Sequence, residues 1–439
     1  MTITTTTMSN FTRTLRGASL TVSGLSRLVA PRGCRSPSRA ESGGASRRPQ
    51  AVATGGAPSL VLGLETSCDE TGAAVLCARS GALLGEALHS QKEVHVRNGG
   101  IIPTLAQQLH KEHIDGVVQE ALRASGASLC HLHAIATSVR PGLALCLAVG
   151  LEHSALLLEC AGPHVKFIPI HHMEAHALTV RMMQQVEFPF LVLLVSGGHC
   201  LLAVARGVND FLRLGQTLDE APGDIFDKVA RRLSLHNISE LSAMSGGQAV
   251  EHISKDGNRM AFHFKQPLEK YRDCNFSFSG LRTQVSQTIK QKELEEGIKE
   301  GQVLECASSI AAATQYTVAA HIAKRTHRAM VFCLQNSLIP TDNPTLVVSG
   351  GVASNSVIKE ALGHVATAVG FSVICPPPHL CTDNGIMIGW NGVERLRANV
   401  GILPNANGIR FEPRSPLGVD ISEQVSNASI RVPLVNLKI

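Results

Sequence analysis

The sequence predicts an α/β protein built from two similar lobes, and two observations carry that prediction. Residues 59–90, SLVLGLETSCDETGAAVLCARSGALLGEALHS, read as three short strands joined by polar turns, and residues 188–217, FPFLVLLVSGGHCLLAVARGVNDFLRLGQT, read the same way. In both, apolar runs of strand length are bounded by Ser, Asp, Asn and Gly, which favour turns. After each meander the pattern changes to helices and single strands. A unit that occurs twice in that order implies a duplicated α/β lobe.

The elements follow in order. A Gly, Ser and Pro-rich stretch precedes the first meander, and a long helix is expected from about 103 to 125. HAIATS (133–138) reads as a strand, Pro141-Gly142 marks a turn, and a helix begins after it. IPIHHMEAHALTV (168–180) reads as helical. The second meander leads into the helix GDIFDKVARRLSL (223–235) and a helical stretch to about 335. The strand TLVVSG (345–350), a further helix, the strand FSVIC (371–375) and a final helix from about 384 complete the series. These elements assign 59–185 to a first lobe and 186–400 to a second with a helical insertion at about 247–335, leaving 401–439 as a C-terminal tail.

With 439 residues, 44% apolar and 17% charged, the composition is that of a globular protein with substantial cores. No unbroken apolar run reaches about 18 residues, which argues against a membrane-spanning helix. Twelve cysteines occur without a Cys-x-x-Cys pair, usage that suits a reducing compartment. Residues 1–50 differ from the rest, with eight Arg, no Lys, sixteen Ser or Thr and Glu41 as the one acid. That is the composition of a mitochondrial transit peptide and predicts delivery to the matrix, with a disordered basic tail as the alternative, whereas a secretory signal needs a compact apolar segment. The chain carries 40 Lys and Arg against 35 Asp and Glu, and this segment accounts for eight and one of them. The remainder has 32 against 34, a net charge of −2. Any nucleic-acid binding by it must use local patches.

His172 and His176 lie four apart, a step that brings both imidazoles to one helix face, where they could share a cation. With 19 histidines in the chain, roughly one such pair is expected by chance, so spacing alone leaves a metal pair and two surface histidines both open. A zinc protease would place Glu directly after the first His. Met173 is there instead, and Glu174 lies about 200° around the helix, so the pair has no general base. Elsewhere SGG (196–198) and VVSGGVASN (347–355) are turns whose glycines let backbone N–H groups approach an anion, the second at a helix N-terminus. The paired meanders and these turns resemble the actin-like, sugar-kinase-like (ASKHA) ATPase superfamily. That resemblance implies duplicated lobes with an interlobe cleft whose turns grip nucleotide phosphates.

Longer blocks narrow the resemblance. GLETSCDETGAAV (63–75), GGIIP (99–103), IPIHHMEAHAL (168–178), PFLVLLVSGGHC (189–200), LGQTLDEAPGDIFDKVAR (214–231), FSFSGLRT (276–283), VVSGGVASN (347–355) and PPPHLCTDNGIMIGW (376–390) occur in one order. Over residues 60 to about 395 they closely resemble the tRNA N6-adenosine threonylcarbamoyltransferase family (TsaD type), within it the mitochondrial branch. The resemblance implies transfer of a threonylcarbamoyl group from threonylcarbamoyl-AMP to N6 of adenosine 37 in mitochondrial tRNAs that read codons starting with adenosine. It implies one divalent cation per subunit, iron, zinc, manganese or magnesium, held by His172, His176 and Asp383. Leu194, Val195, Ser196, Gly197, Gly198, Asp227, Gly247 and Asn355 would bind the adenylate, and Asp69 and Glu70 would serve catalysis. A helix-surface Asp227 and an N-capping Asn355 are the plainer readings without the family.

The chain departs from the family's usual pattern at Arg140 in TSVRPGL, at Thr104, at His171 in place of Asn and at Cys200 in place of Thr. The spacing from Asp227 to Gly246-Gly247 is also longer than usual. The implied partners are mitochondrial tRNA, a separate synthase that supplies the adenylate, and a second copy in a homodimer, with no membrane. A kinase or ATPase of the same superfamily and a non-catalytic tRNA-binding scaffold are the alternatives. For a remainder of negative charge, Arg140, Arg231, Arg232 and Arg282 are the cations expected to meet tRNA phosphates.

Overall fold

β1 (Leu60–Glu65), β2 (Glu70–Cys77) and β3 (Leu83–Ser90) pair as the antiparallel meander the sequence predicts. This computed structural model describes residues 59–98 and 100–433, so the expected transit segment lies outside the described residues. Next come α1 (Lys92–Arg97), α2 (Pro103–Ser125), β4 (Leu132–Arg140), α3 (Ala144–Ala161), β5 (Lys166–His171), α4 (His172–Leu178) and α5 (Val180–Met183). β4 and β5 add in parallel, giving the order β3-β2-β1-β4-β5.

The order then repeats. β6 (Phe190–Val195), β7 (Cys200–Ala205) and β8 (Phe211–Gln216) form the second meander, followed by α6 (Pro222–Arg232), α7 (Gly246–Ser254), α8 (Ser279–Glu296) and α9 (Ala307–Gln335). β9 (Thr345–Ser349), α10 (Ser356–Val369) and β10 (Ser372–Ile374) complete a sheet that runs β10-β9-β6-β7-β8. α11 (Pro378–Cys381), α12 (Gly385–Ala398), β11 (Val419–Asp420) and α13 (Ser422–Ala428) end the described chain. Two sheets with one strand order are the duplicated actin-like, sugar-kinase-like lobes that the sequence predicts.

β1 and β6 are buried along their whole length, which is why they read as continuous apolar runs. Along β6 the side chains alternate between two cores. Leu193 and Val195 pack with α6, α8 and α9, while Val192 and Leu194 pack with residues of α4 and α12.

Three expectations need correction. Residues 166–171 form a strand that the sequence reading missed, because Pro169 disguises it; β5 is a sheet edge, where proline is tolerated. The final helix was expected in the second lobe, yet α12 lies across β1, β2 and β4 of the first sheet. Glycines make that approach feasible: a Cβ on Gly63 would collide with the backbone at Gly389, and one on Gly385 with that of Ala73. Residues 401–433, the described part of the expected tail 401–439, are packed onto both sheets. Leu403 bridges Phe167, Glu412 N–H donates to Val139 O at 2.9 Å, and β11 extends the second sheet beside β8.

α3 is long and apolar enough, by length and composition, to cross a membrane. Glu152, His153 and Glu159 interrupt its apolar run, which is why the sequence test passed over it. Here it packs against β4 and α2, and Thr137 Oγ1 on β4 meets its buried Ser154 at 2.6 Å.

Candidate active site

The histidine pair sits where the two sheets meet. α4 starts directly at the end of β5 and touches β4 and β5 of the first sheet and β6 and β9 of the second. His171 is its N-cap. Nδ1 accepts from Met173 N–H at 3.2 Å, and Nε2 donates to Ser415 O at 3.2 Å, so this replacement of the usual Asn keeps the capping function.

From α4, His172 and His176 turn their Nε2 atoms to within 3.2 Å of each other, and Asp383 arrives from the turn between α11 and α12. Its Oδ1 is 3.0 Å from His176 Nε2 and 3.4 Å from His172 Nε2, and the three potential ligand atoms lie within 4.8 Å of one another. Two imidazole nitrogens and a carboxylate converging in a buried site have the donor chemistry of a divalent-metal centre. Electrostatics agree. Burial pulls the His172 imidazole down, but Asp383 and Glu65 outweigh it and hold it well above its usual value. Asp383, which burial would raise, is held well below the usual carboxylate range by His172 and His176. The group therefore favours positive charge at its centre. Glu174 points away, as predicted, and bonds Arg395 at 2.5 Å.

The first meander turn faces the same group. Burial, reinforced by the charges of Asp383 and Asp69 and a hydrogen bond with Asp69, pushes the Glu70 carboxyl up to about 10. Burial with Asp69 and Asp383 likewise raises the Cys68 thiol. Neighbouring elements hold this turn: Gln91 N–H donates to Asp69 O at 3.0 Å, and His110 on α2 meets Thr71 Oγ1 at 2.7 Å and Cys68 O at 2.9 Å.

The second meander turn meets the site from β6. Leu194 and Val195 have their side chains in the cores, so only their backbone is available to a ligand. Ser196 N–H donates to His199 O at 2.8 Å, and Ser196 Oγ accepts from His199 N–H at 3.1 Å, which closes the turn. Gly197 and Gly198 are exposed, and a Cβ on either would meet nothing within 4 Å. Open space above a run of backbone groups suits an incoming phosphate.

Asp227 is exposed on α6, yet the protein around it removes enough water to raise its carboxyl, with the Gly247 N–H drawing it back. Despite the longer spacing, Gly246 packs directly on Asp227, where any side chain would collide. Asn355 is the N-cap of α10: Oδ1 accepts from Ile358 N–H at 3.1 Å, and Nδ2 donates to Glu251 at 3.3 Å.

Three functional neighbours escaped the sequence reading. His199, pushed down to about 4 by burial and by the charges of His172 and His176, stands beside the metal group. Glu65 contacts His172, and His110 holds the first turn. The first two lie inside the matched blocks SGGHC and GLETSCDE, the signal that could have found them. The expected phosphate-binding cations need correction, because Arg140 pairs with Glu412 at 3.3 Å, Arg232 with Glu293 at 2.5 Å and Arg282 with Glu220 at 2.9 Å. Arg231 alone of the four is exposed without a carboxylate partner among the described residues.

Fold and site together define an actin-like, sugar-kinase-like protein with a two-histidine, one-aspartate centre set between its lobes. Comparison with known proteins then gives the family. The family model described as TsaD, tRNA N6-adenosine threonylcarbamoyltransferase, matches residues 82–390. The mitochondrial tRNA N6-adenosine threonylcarbamoyltransferases of Danio rerio and Homo sapiens are both 58% identical, over 87% of this chain and 94% and 91% of their own length. The tRNA N6-adenosine threonylcarbamoyltransferase of Rhodospirillum rubrum is 39% identical over 85% of this chain and 99% of its own. The chain belongs to the tRNA N6-adenosine threonylcarbamoyltransferase family. Among solved structures, HypF from T. kodakarensis is similar over 78% of this chain and 48% of its own, with 14% identity and a TM-score of 0.45.

Proposed function

We propose that this site transfers threonylcarbamoyl from threonylcarbamoyl-AMP to N6 of adenosine 37 in mitochondrial tRNAs that read codons starting with adenosine, in the mitochondrial matrix. The observation that carries the reading is the meeting of the Asp69-Glu70 turn and the metal-type group beside the Ser196–Gly198 turn.

The donor is a mixed carbamic-phosphoric anhydride and is already activated, whereas the acceptor amine is a poor nucleophile with its lone pair delocalised into the purine. Positioning and charge stabilisation are therefore the main requirements. Backbone groups of Leu194–Gly198 receive the adenylate phosphate, and Asp227, Gly247 and Asn355 complete the pocket around the ribose and base. N6 forms its bond to the carbamoyl carbon, the bond from that carbon to the phosphate oxygen breaks, and AMP leaves. The N6 proton passes to the Asp69 carboxylate, which is hydrogen-bonded to a Glu70 whose raised carboxyl already holds its own proton. His172, His176 and Asp383 would hold a divalent cation, which would supply Lewis-acid stabilisation of the charge that develops during transfer. A separate synthase supplies the adenylate, and the chain works as a homodimer, supported by exposed Leu88, Val96, Ile101 and Ile102 in the segment that follows β2.

The test incubates residues 51–439 with a threonylcarbamoyl-AMP generator and mitochondrial tRNA, then reads nucleosides by mass spectrometry. Threonylcarbamoyladenosine with release of AMP is expected, whereas ADP release without tRNA modification would identify a kinase or ATPase. His172→Ala, His176→Ala and Asp383→Ala should each abolish transfer and metal retention while thermal unfolding stays cooperative. Stoichiometric metal and full activity in a His172→Ala, Asp383→Ala double variant would overturn the assignment of the centre.

A further inference from the structure

Glu65 is a buried carboxylate that the metal group and the two turns leave unexplained. It ends β1 with none of its surface exposed, a strongly unfavourable place for a carboxylate unless its oxygens are used. Each oxygen has a separate partner. Oε1 accepts from the Ser67 N–H at 2.5 Å, and Oε2 lies 3.2 Å from His172 Nδ1. Ser67 Oγ is 3.1 Å from the same ring nitrogen, and Ser67 O accepts from Leu143 N–H at 2.8 Å. One side chain thus joins the end of β1, the first residue of the catalytic turn and a metal-type histidine.

We infer that Glu65 is a positioning residue for the metal centre, resting on the reading of that centre given above. An acceptor on Nδ1 keeps the proton there and turns the Nε2 lone pair towards Asp383, where a cation needs it. Through Ser67 the same carboxylate sets the spacing between His172 and the turn that carries Asp69 and Glu70. His176 has no equivalent support: its Nδ1 is buried without a hydrogen-bond partner among the described residues. Glu65 is therefore the charged outer anchor of the pair, and its loss leaves His172 Nδ1 with the neutral Ser67 Oγ alone, itself no longer fixed through the Ser67 N–H.

Glu65→Gln separates this role from packing, because the amide has nearly the volume of the carboxylate but a single acceptor oxygen. If that oxygen keeps the Ser67 N–H, the amide NH2 faces His172 Nδ1, donates to it and shifts the ring proton to Nε2. If the amide turns over, the Ser67 N–H loses its partner. Glu65→Asp keeps the charge on a stem shorter by one methylene.

The experiment titrates the metal-free full-length protein with Mn2+ alone and follows free Mn2+ by electron paramagnetic resonance, with thermal unfolding of each metal-free variant measured alongside. Wild type should bind one ion, Glu65→Gln should bind about ten- to a hundredfold more weakly, and Glu65→Asp should fall between. Unfolding midpoints of the metal-free proteins should stay close together, which excludes misfolding as the cause. Wild-type Mn2+ affinity in Glu65→Gln would overturn the positioning role while leaving the centre intact. Equal Mn2+ binding by wild type and His172→Ala would overturn the centre itself, and this inference with it.

Discussion

His171 and His321 are held neutral by the fold. Burial, then the charge of Arg140, pushes His171 down to about 3, and burial with Arg325 and Lys324 does the same to His321. An unfolded histidine titrates near 6.5, so below that pH the unfolded chain binds protons that the folded chain refuses. The stability that each contributes is complete above pH ~6.5 and is lost as pH falls towards 3, at up to about 1.4 kcal/mol per unit for each ring. Urea midpoints should therefore decline from pH 6.5 downward, before most carboxylates titrate. His321→Asn, which can still accept from the Ser277 N–H that Nε2 now meets at 3.3 Å, should show a shallower decline. An unchanged slope in that variant would place the acid sensitivity elsewhere. Single residues were legible in the sequence where chemistry and spacing coincide, as for His172 and His176. Glu65, His110 and His199 were not, because contacts such as Glu65 with His172 across 107 residues, or His110 with Cys68 across 42, leave no periodic trace.

Among the elements, α8, which packs against α6 and α9, shows how a helix is fastened from a distant loop. Asp219, in the loop after β8, receives Ser277 Oγ at 2.6 Å, Phe278 N–H at 2.8 Å and Ser279 Oγ at 2.6 Å, and so caps a helix that begins sixty residues later. Burial alone would raise this carboxyl, but those donors outweigh it and hold it below the usual range. Its contribution is present above pH ~4 and lost as pH falls through that range. Because Asp219 is exposed, solvent screens it, and Asp219→Ala should cost about 1 kcal/mol, the scale of a lost helix cap. Asp219→Asn should recover part of that, measured by urea unfolding at pH 7. A loss equal to Ala for Asn would show that the charge, rather than the acceptor geometry, does the capping. Both meanders and most helices were legible from alternation and turn residues. β5 and the placement of α12 were not. One is masked by Pro169, and the other depends on Gly63, Gly385 and Gly389 meeting across the fold.

At the scale of the whole molecule, the question is how a chain of net charge −2 beyond residue 50 holds a polyanionic tRNA. Phosphate contacts supply most of the non-specific affinity for nucleic acid and make it salt-dependent. Arg140, Arg231, Arg232 and Arg282 are the expected cations because each lies near a segment that the family resemblance places at the cleft, but ion pairing acts through space, and the fold commits three of them to Glu412, Glu293 and Glu220. A paired guanidinium brings little net charge to a phosphate, and reversing it would chiefly strand its carboxylate partner. Arg231 differs. It is exposed at the end of α6, close enough to Asp227 for its charge to offset part of the rise that burial gives that carboxyl, and so it belongs to the rim of the proposed adenylate pocket. Arg231→Glu should therefore raise KM for tRNA and flatten the log–log salt dependence of binding by about one unit, the signature of one lost phosphate contact. Affinity for threonylcarbamoyl-AMP should change far less. Arg232→Glu should instead lower the urea midpoint, because Glu293 loses both of its hydrogen bonds, at 2.5 and 2.6 Å, and should leave the salt slope unchanged. If Arg231→Glu left the slope unaltered while Arg232→Glu flattened it, the ion pair would have to open on tRNA binding, and the phosphate-binding surface would lie towards α8.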